Sequence, residues 1–143
     1  MIKFMKRSKR AEKLFLELID IMSILRSSKG CSWDRKQDHA SLLKYLFEEA
    51  AEVKLAVKKK DWKNLEEELG DILLQVVFHA QIAKESGLFD IGDIISTLNQ
   101  KLIRRHPHVF KKGPHGKNTK PLTPGQVYLQ WKQIKQLEKK SRL

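Results

Sequence analysis

Cysteine, proline and glycine are scarce in this chain, and acid is scarce at its ends. One cysteine, Cys31, excludes an internal disulfide, so a reducing compartment is permitted and the cytoplasm is the expected location. Four prolines and seven glycines among 143 residues are too few for low complexity. No apolar run approaches the ~18 residues of a membrane helix. Even the run ILLQVVFHA is broken by Gln75 and His79. The opening MIKFMKRSKR has charge but no apolar core after it, which excludes a signal peptide. No stretch alternates as a strand does, and there is no internal repeat. Residues 1–10 carry five Lys or Arg and no acid, and residues 101–143 carry twelve against Glu138 alone. The middle, residues 11–100, is acidic (12 basic, 16 acidic) within a chain of formal charge +12. An acidic middle between basic ends fits a metal cleft facing phosphate-binding groups. It fits equally a module that holds nucleic acid through its tails.

What is present is helical periodicity, in a chain of 41% hydrophobic and 32% charged residues. Leu14, Phe15, Leu18, Ile19, Met22 and Leu25 mark a first helix over 11–28, ended by Ser27, Ser28 and Gly30. CSWDRKQDHAS reads as a connector, with Asp38 as N-cap of a second helix from Ser41 to Val57 that buries Leu42, Leu46, Val53 and Val57. Asp61 is the expected N-cap of a third, Trp62 to Glu85, apolar on much of its circumference and stopped by Gly87. Asp90 opens a fourth through Leu102. Pro107 interrupts it, and HPHVFKKGPHGKNTKPL reads as a basic loop. Thr123-Pro124-Gly125-Gln126 has the form of a capping box that starts a last helix. The expectation is an all-α bundle of about four core helices plus a C-terminal helix. Residues 1–10 form a basic segment, and 11–143 form one domain with its core at 30–110 and a loop and helix over 111–143.

The chemistry concentrates between Phe47 and Asp71. Glu48, Glu49 and Glu52 fall within an arc of about 100° on one helix, and Glu68 and Asp71 sit on neighbouring turns of the next. The polar stretch Lys58–Asp61 lets the chain fold back and bring the two acidic faces together. Carboxylates gathered in one cleft repel one another unless a cation sits among them, and an all-oxygen set suits a hard divalent ion such as Mg²⁺. Two solvated helix faces remain the alternative on spacing alone.

EEAAE (Glu48 to Glu52) followed by ELGD (Glu68 to Asp71) resembles the EExxE…ExxD signature of MazG-type nucleoside triphosphate pyrophosphohydrolases. CSWDRKQDHASLLKYLFEEAAE, ELGDILLQVVFHAQIAKESGLFD and NQKLIRRHPHVF resemble further blocks of that family, in order, with a weaker likeness at YLQWKQIK. The resemblance implies that Glu49, Glu52, Glu68 and Asp71 hold Mg²⁺, with Mn²⁺ as a substitute. Glu48 would orient water, and Lys101 and Arg105 would hold phosphates while Arg104 faces solvent. It implies cleavage of an NTP to NMP and pyrophosphate, and a homodimer or dimer of dimers, with no membrane role. Ser32 stands where the family usually has Pro. The RRHPHVF block resembles the first of the two modules common in the family, and this chain has room for one. The strong basic charge is unusual for such an enzyme.

Other signals point to packing. Trp33 and Trp131 are candidates to stack on a base, against the commoner role of a half-buried Trp in a bundle. His39 and His79 are expected to be hydrogen-bonded packing residues, Cys31 structural, and His106, His108 and His115 parts of a basic loop. The competing function is a basic nucleic-acid-binding or partner-binding bundle with weak or lost turnover, which needs only the tails. No sequence-reading nucleic-acid motif supports it.

Overall fold

A computed structural model of the chain describes residues 9–110 and 121–141. Its described residues form seven helices and no strand: α1 Lys9–Leu25, α2 Ser32–Lys36, α3 Leu43–Lys59, α4 Trp62–Glu85, α5 Ile91–Arg105, α6 Pro107–Phe110 and α7 Pro124–Ser141. They fall into two compact units that divide between Ile91 and Gly92.

In the first unit, α4 packs against α3 and α1 and supplies most of the buried side chains. Met22 of α1, Leu42, and Val77, Phe78 and Ile82 of α4 make the core, with Phe15, Leu18, Tyr45, Leu74 and Ile91 laid against it. The turn after α1 needs its glycine. A Cβ at Gly30 would collide with the carbonyl oxygens of Ile24 and Leu25, around which Cys31 N–H closes onto Leu25 O at 2.8 Å. Arg26 then ties three segments together. Its guanidinium donates to Glu85 at the end of α4 (Nη2 to Oε2 2.7 Å) and to the carbonyls of Asp34 and Gln37, and it lies 5.6 Å from the Phe78 ring centroid.

The α3–α4 reversal is built from two adjacent signals. Asp61 N–H closes onto Ala56 O (3.0 Å) and Lys60 N–H onto Val57 O (3.1 Å), a Schellman end to α3. Lys60 therefore adopts φ 56°, a left-handed conformation usually left to Gly or Asn. Asp61 next accepts Asn64 N–H on Oδ1 at 3.1 Å and caps α4. So tight a hairpin sets α3 and α4 antiparallel. At its far end α4 closes through Gly87 at φ 66°, with Leu88 N–H on Ala83 O.

The structure corrects several boundaries. α1 ends at Leu25 rather than at residue 28. The connector holds the short helix α2, whose last residues are anchored through Arg26. Asp38 caps a turn instead of α3: its Oδ1 accepts Ser41 N–H at 2.7 Å, and α3 begins at Leu43. Val57, expected to be buried, is 51% exposed in the last turn of α3. Part of the expected basic loop, Pro107–Phe110, is helical, with Phe110 N–H on His106 O. Residues 111–120 of that loop, including His115, and residues 1–8 lie outside the described residues.

In the second unit the capping box forms as its sequence requires. Thr123 N–H donates to Gln126 Oε1 (2.9 Å) and Gln126 N–H to Thr123 Oγ1 (3.3 Å), with Pro124 at the first helical position.

Candidate metal centre

The hairpin turns the acidic face of α3 onto that of α4. Glu49, Glu68 and Asp71, all half-buried, each place one carboxylate oxygen so that the three lie within 4.8 Å of one another. No Lys or Arg pairs with any of the three among the described residues. The Glu49 carboxyl is held above its ordinary range by burial first, then by the charges of Asp71 and Glu68 and a hydrogen bond to Glu68. Such a cluster is short of positive charge. Three convergent oxygen donors without sulfur or imidazole fit a hard divalent cation. Glu52 stays outside the group of three, exposed one turn further along α3, and Glu48 is exposed beside Glu49.

One residue of this face enters the sequence reading only as a break in an apolar run. Gln75 lies one turn beyond Asp71, and Glu68, Asp71 and Gln75 share an arc of about 60° on α4. It is 6% exposed, and its Oε1 has no hydrogen-bond partner. The signal was available: a lone amide inside ILLQVVFHA, four residues after an acid.

Trp33 stands in the same unit, its ring edge-on to Tyr45 (centroids 5.7 Å) and to Phe78 (6.5 Å). With Lys36, Gln37, Ser41, Lys44 and Tyr45 it lines an open cleft of about 460 Å³. Its ring packs, yet remains 48% exposed. His39 and His79 are hydrogen-bonded as expected, Nδ1 to Nδ1 at 2.7 Å, with their rings stacked. Burial, then the charge of His39, lowers the His79 pKa.

The second unit gathers cations around a single acid. Glu138 accepts Arg104 Nε on Oε1 (2.6 Å) and Arg105 Nη2 on Oε2 (2.7 Å), and these bonds, Arg105's first, pull its pKa down to about 2. The Trp131 ring lies between Arg105 and Lys135, 5.5 and 4.4 Å from its centroid. Lys101 is half-buried one turn before Arg105, and Arg104 is exposed as expected, although ion-paired. His106 and His108 are taken up by Leu102 O and Gln130 Oε1.

Residues 37–110 match the family described as MazG nucleotide pyrophosphohydrolase domain. This chain belongs to that family. A nucleoside triphosphate pyrophosphohydrolase/pyrophosphatase MazG of Thermotoga maritima is 55% identical over 131 residues, covering 92% of this chain and 48% of that protein. A nucleoside triphosphate pyrophosphohydrolase of Escherichia coli K12 is 42% identical over 123 residues, covering 85% and 44%. The chain thus spans about half the length of these relatives. A crystal structure of a mazG-related protein from Thermotoga maritima superposes with a TM-score of 0.66 at 31% identity, covering 87% of this chain and 98% of that one. The matched MazG segment contains all five acids, Gln75, Lys101 and Arg105, and leaves out Trp33 and Trp131.

Proposed function

We propose that this chain is a Mg²⁺-dependent hydrolase that cuts nucleoside triphosphates between the α and β phosphorus, releasing the monophosphate and pyrophosphate. The observation that carries the reading is the convergence of Glu49, Glu68 and Asp71, half-buried and with no ion-paired Lys or Arg among the described residues, in a MazG-family chain. In this reading Glu49, Glu52, Glu68 and Asp71 hold the ion, with Mn²⁺ an acceptable substitute. Bound there, a divalent ion neutralises phosphate charge and lowers the pKa of a coordinated water. Glu48, exposed beside the cluster, accepts a hydrogen bond from the attacking water and orients it. Lys101 and Arg105 hold the distal phosphates and stabilise the charge that develops on departing pyrophosphate. Trp33 and Trp131 offer ring faces to the base.

The chain acts as one module, in the cytoplasm, as a homodimer or a dimer of dimers. Support for self-association comes from large apolar side chains left exposed on the helices that carry the acids: Phe47 on α3, Leu69 and Leu73 on α4. The activity serves housekeeping of the nucleotide pool. A binding role for the basic ends is the second reading, favoured by Lys132 and Lys135 lying over the Tyr128 and Trp131 rings of α7. Incubation with ATP or dCTP and anion-exchange chromatography of the products tests the reaction. NMP and pyrophosphate as primary products agree with it, and NDP with orthophosphate would mean attack at the γ-phosphorus.

A further inference from the structure

A buried amide oxygen with no partner calls for a ligand. Leaving such an acceptor unsatisfied costs stability that an apolar side chain of similar size would keep. Gln75 carries this penalty at a defined place. It is 6% exposed, on the face of α4 that bears Glu68 and Asp71, one turn from the latter, and Glu49 of α3 converges on those two acids. Its immediate neighbours Leu74, Val76, Val77 and Phe78 are apolar, and His79, one turn on, is engaged through Nδ1 with His39. An amide oxygen only accepts, so its ligand must bring an O–H or N–H. A hard divalent ion held by a few carboxylates keeps several of its waters, and their protons point outward to acceptors in the surrounding shell.

We infer that Gln75 is a positioning residue of the carboxylate cluster, its Oε1 accepting a hydrogen bond from a water of the divalent ion held by Glu49, Glu68 and Asp71. This rests on the metal reading above and adds a residue to it. The acceptor fixes the orientation of one coordinated water and, through it, strengthens the hold on the ion. No protein group among the described residues donates to this oxygen.

The test is a calorimetric titration of Mn²⁺, without nucleotide, into the wild type, Gln75→Met and Gln75→Leu, together with thermal melts of each metal-free protein. Met and Leu fill the site without an acceptor, and two shapes guard against one of them failing to pack. The inference expects Mn²⁺ to bind either variant at least tenfold more weakly, the range typical of lost outer-shell partners. It also expects metal-free melting temperatures equal to or above the wild type's. Unchanged Mn²⁺ affinity in a folded variant would overturn it. Wild-type protein that binds no Mn²⁺ would remove the metal reading itself, a failure distinct from the first.

Discussion

Two partly buried glutamates in this chain are pushed in opposite directions. Glu49, on α3, sits against Glu68 and Asp71 and is harder to ionise than usual, from burial and like charge. Glu138, on α7, sits between two arginines and is ionised down to a pH of about 2. Among the described residues no Lys or Arg pairs with the first cluster. The second is neutralised from within, by the one acid among residues 101–143. The difference teaches how to read charged clusters in a folded chain. A set whose charges answer one another needs no ligand to explain it, whereas a set held together against its own repulsion, beside an orphaned acceptor, does. Arg105 is already engaged along its Nε–Nη2 edge, so the proposed phosphate contact would use its other edge or displace Glu138.

The largest effect that could break this comparison is loss of the acidic charges. Glu49→Gln, Glu68→Gln or Asp71→Asn should each lower turnover by roughly a hundredfold or more, since the ion's contribution is worth several kcal/mol. Circular dichroism should show unchanged helix content. Glu52→Gln, just outside the group of three, separates two geometries: an equal loss would mean that the bound ion draws the fourth carboxylate in. Chelation should abolish activity altogether, and turnover undiminished in excess chelator would remove the proposal.

A smaller effect is expected on the basic side. Lys101→Ala and Arg105→Ala should raise KM for a triphosphate by about tenfold, a typical loss for one charge-assisted contact, and leave Mn²⁺ affinity nearly unchanged. Loss of metal binding in Arg105→Ala would mean that the two clusters do not divide the work as described.

The opposed pKa shifts give a prediction with opposite signs. For Glu49, raised in the fold, stability is fully present below the ordinary carboxylate value of 4.5 and is lost as pH rises through the elevated one. For Glu138, depressed in the fold, stability is present above 4.5 and is lost as pH falls through about 2. Carboxyl ¹³C titration of the metal-free protein should show the two glutamates on either side of the ordinary value. Coincident titration would contradict the contrast between the clusters.

The smallest effect concerns the hairpin that assembles the acidic face. Lys60→Gly relieves a left-handed φ and should stabilise the protein by up to about 1 kcal/mol, read from denaturant melts, without changing metal affinity.

Much of this was legible in the sequence where local chemistry decides. Asp61 and Gly87 set the limits of α4, and the Thr123–Gln126 box set the start of α7, because caps act within four residues. Spacing put the acids on one face of each helix and left open whether those faces meet, while the reversal at Lys60 and Asp61 brings Glu49, Glu68 and Asp71 together. Three features needed tertiary information. Helix α2 forms where the sequence shows a polar connector, because Arg26, distant in sequence, takes up the carbonyls at its end. Asp38 has a cap's chemistry but serves a turn, four residues short of α3. Gln75 could be placed four residues after Asp71 from the chain alone, but that its amide oxygen meets no donor among the described residues shows only in the packed structure. The pairing of Glu138 with Arg104 and Arg105 spans more than thirty residues and has no local signature either.

The central claim, that three carboxylates are held together for a divalent ion, is tested most directly by the melting temperature of wild type and Asp71→Asn with and without millimolar Mg²⁺. Without metal, Asp71→Asn should melt at or above the wild type, because one repelling charge is gone. Mg²⁺ should raise the wild-type melting temperature by several degrees through binding to the folded state and leave Asp71→Asn almost unmoved. A wild type indifferent to Mg²⁺, or an equal rise in the variant, would contradict the account.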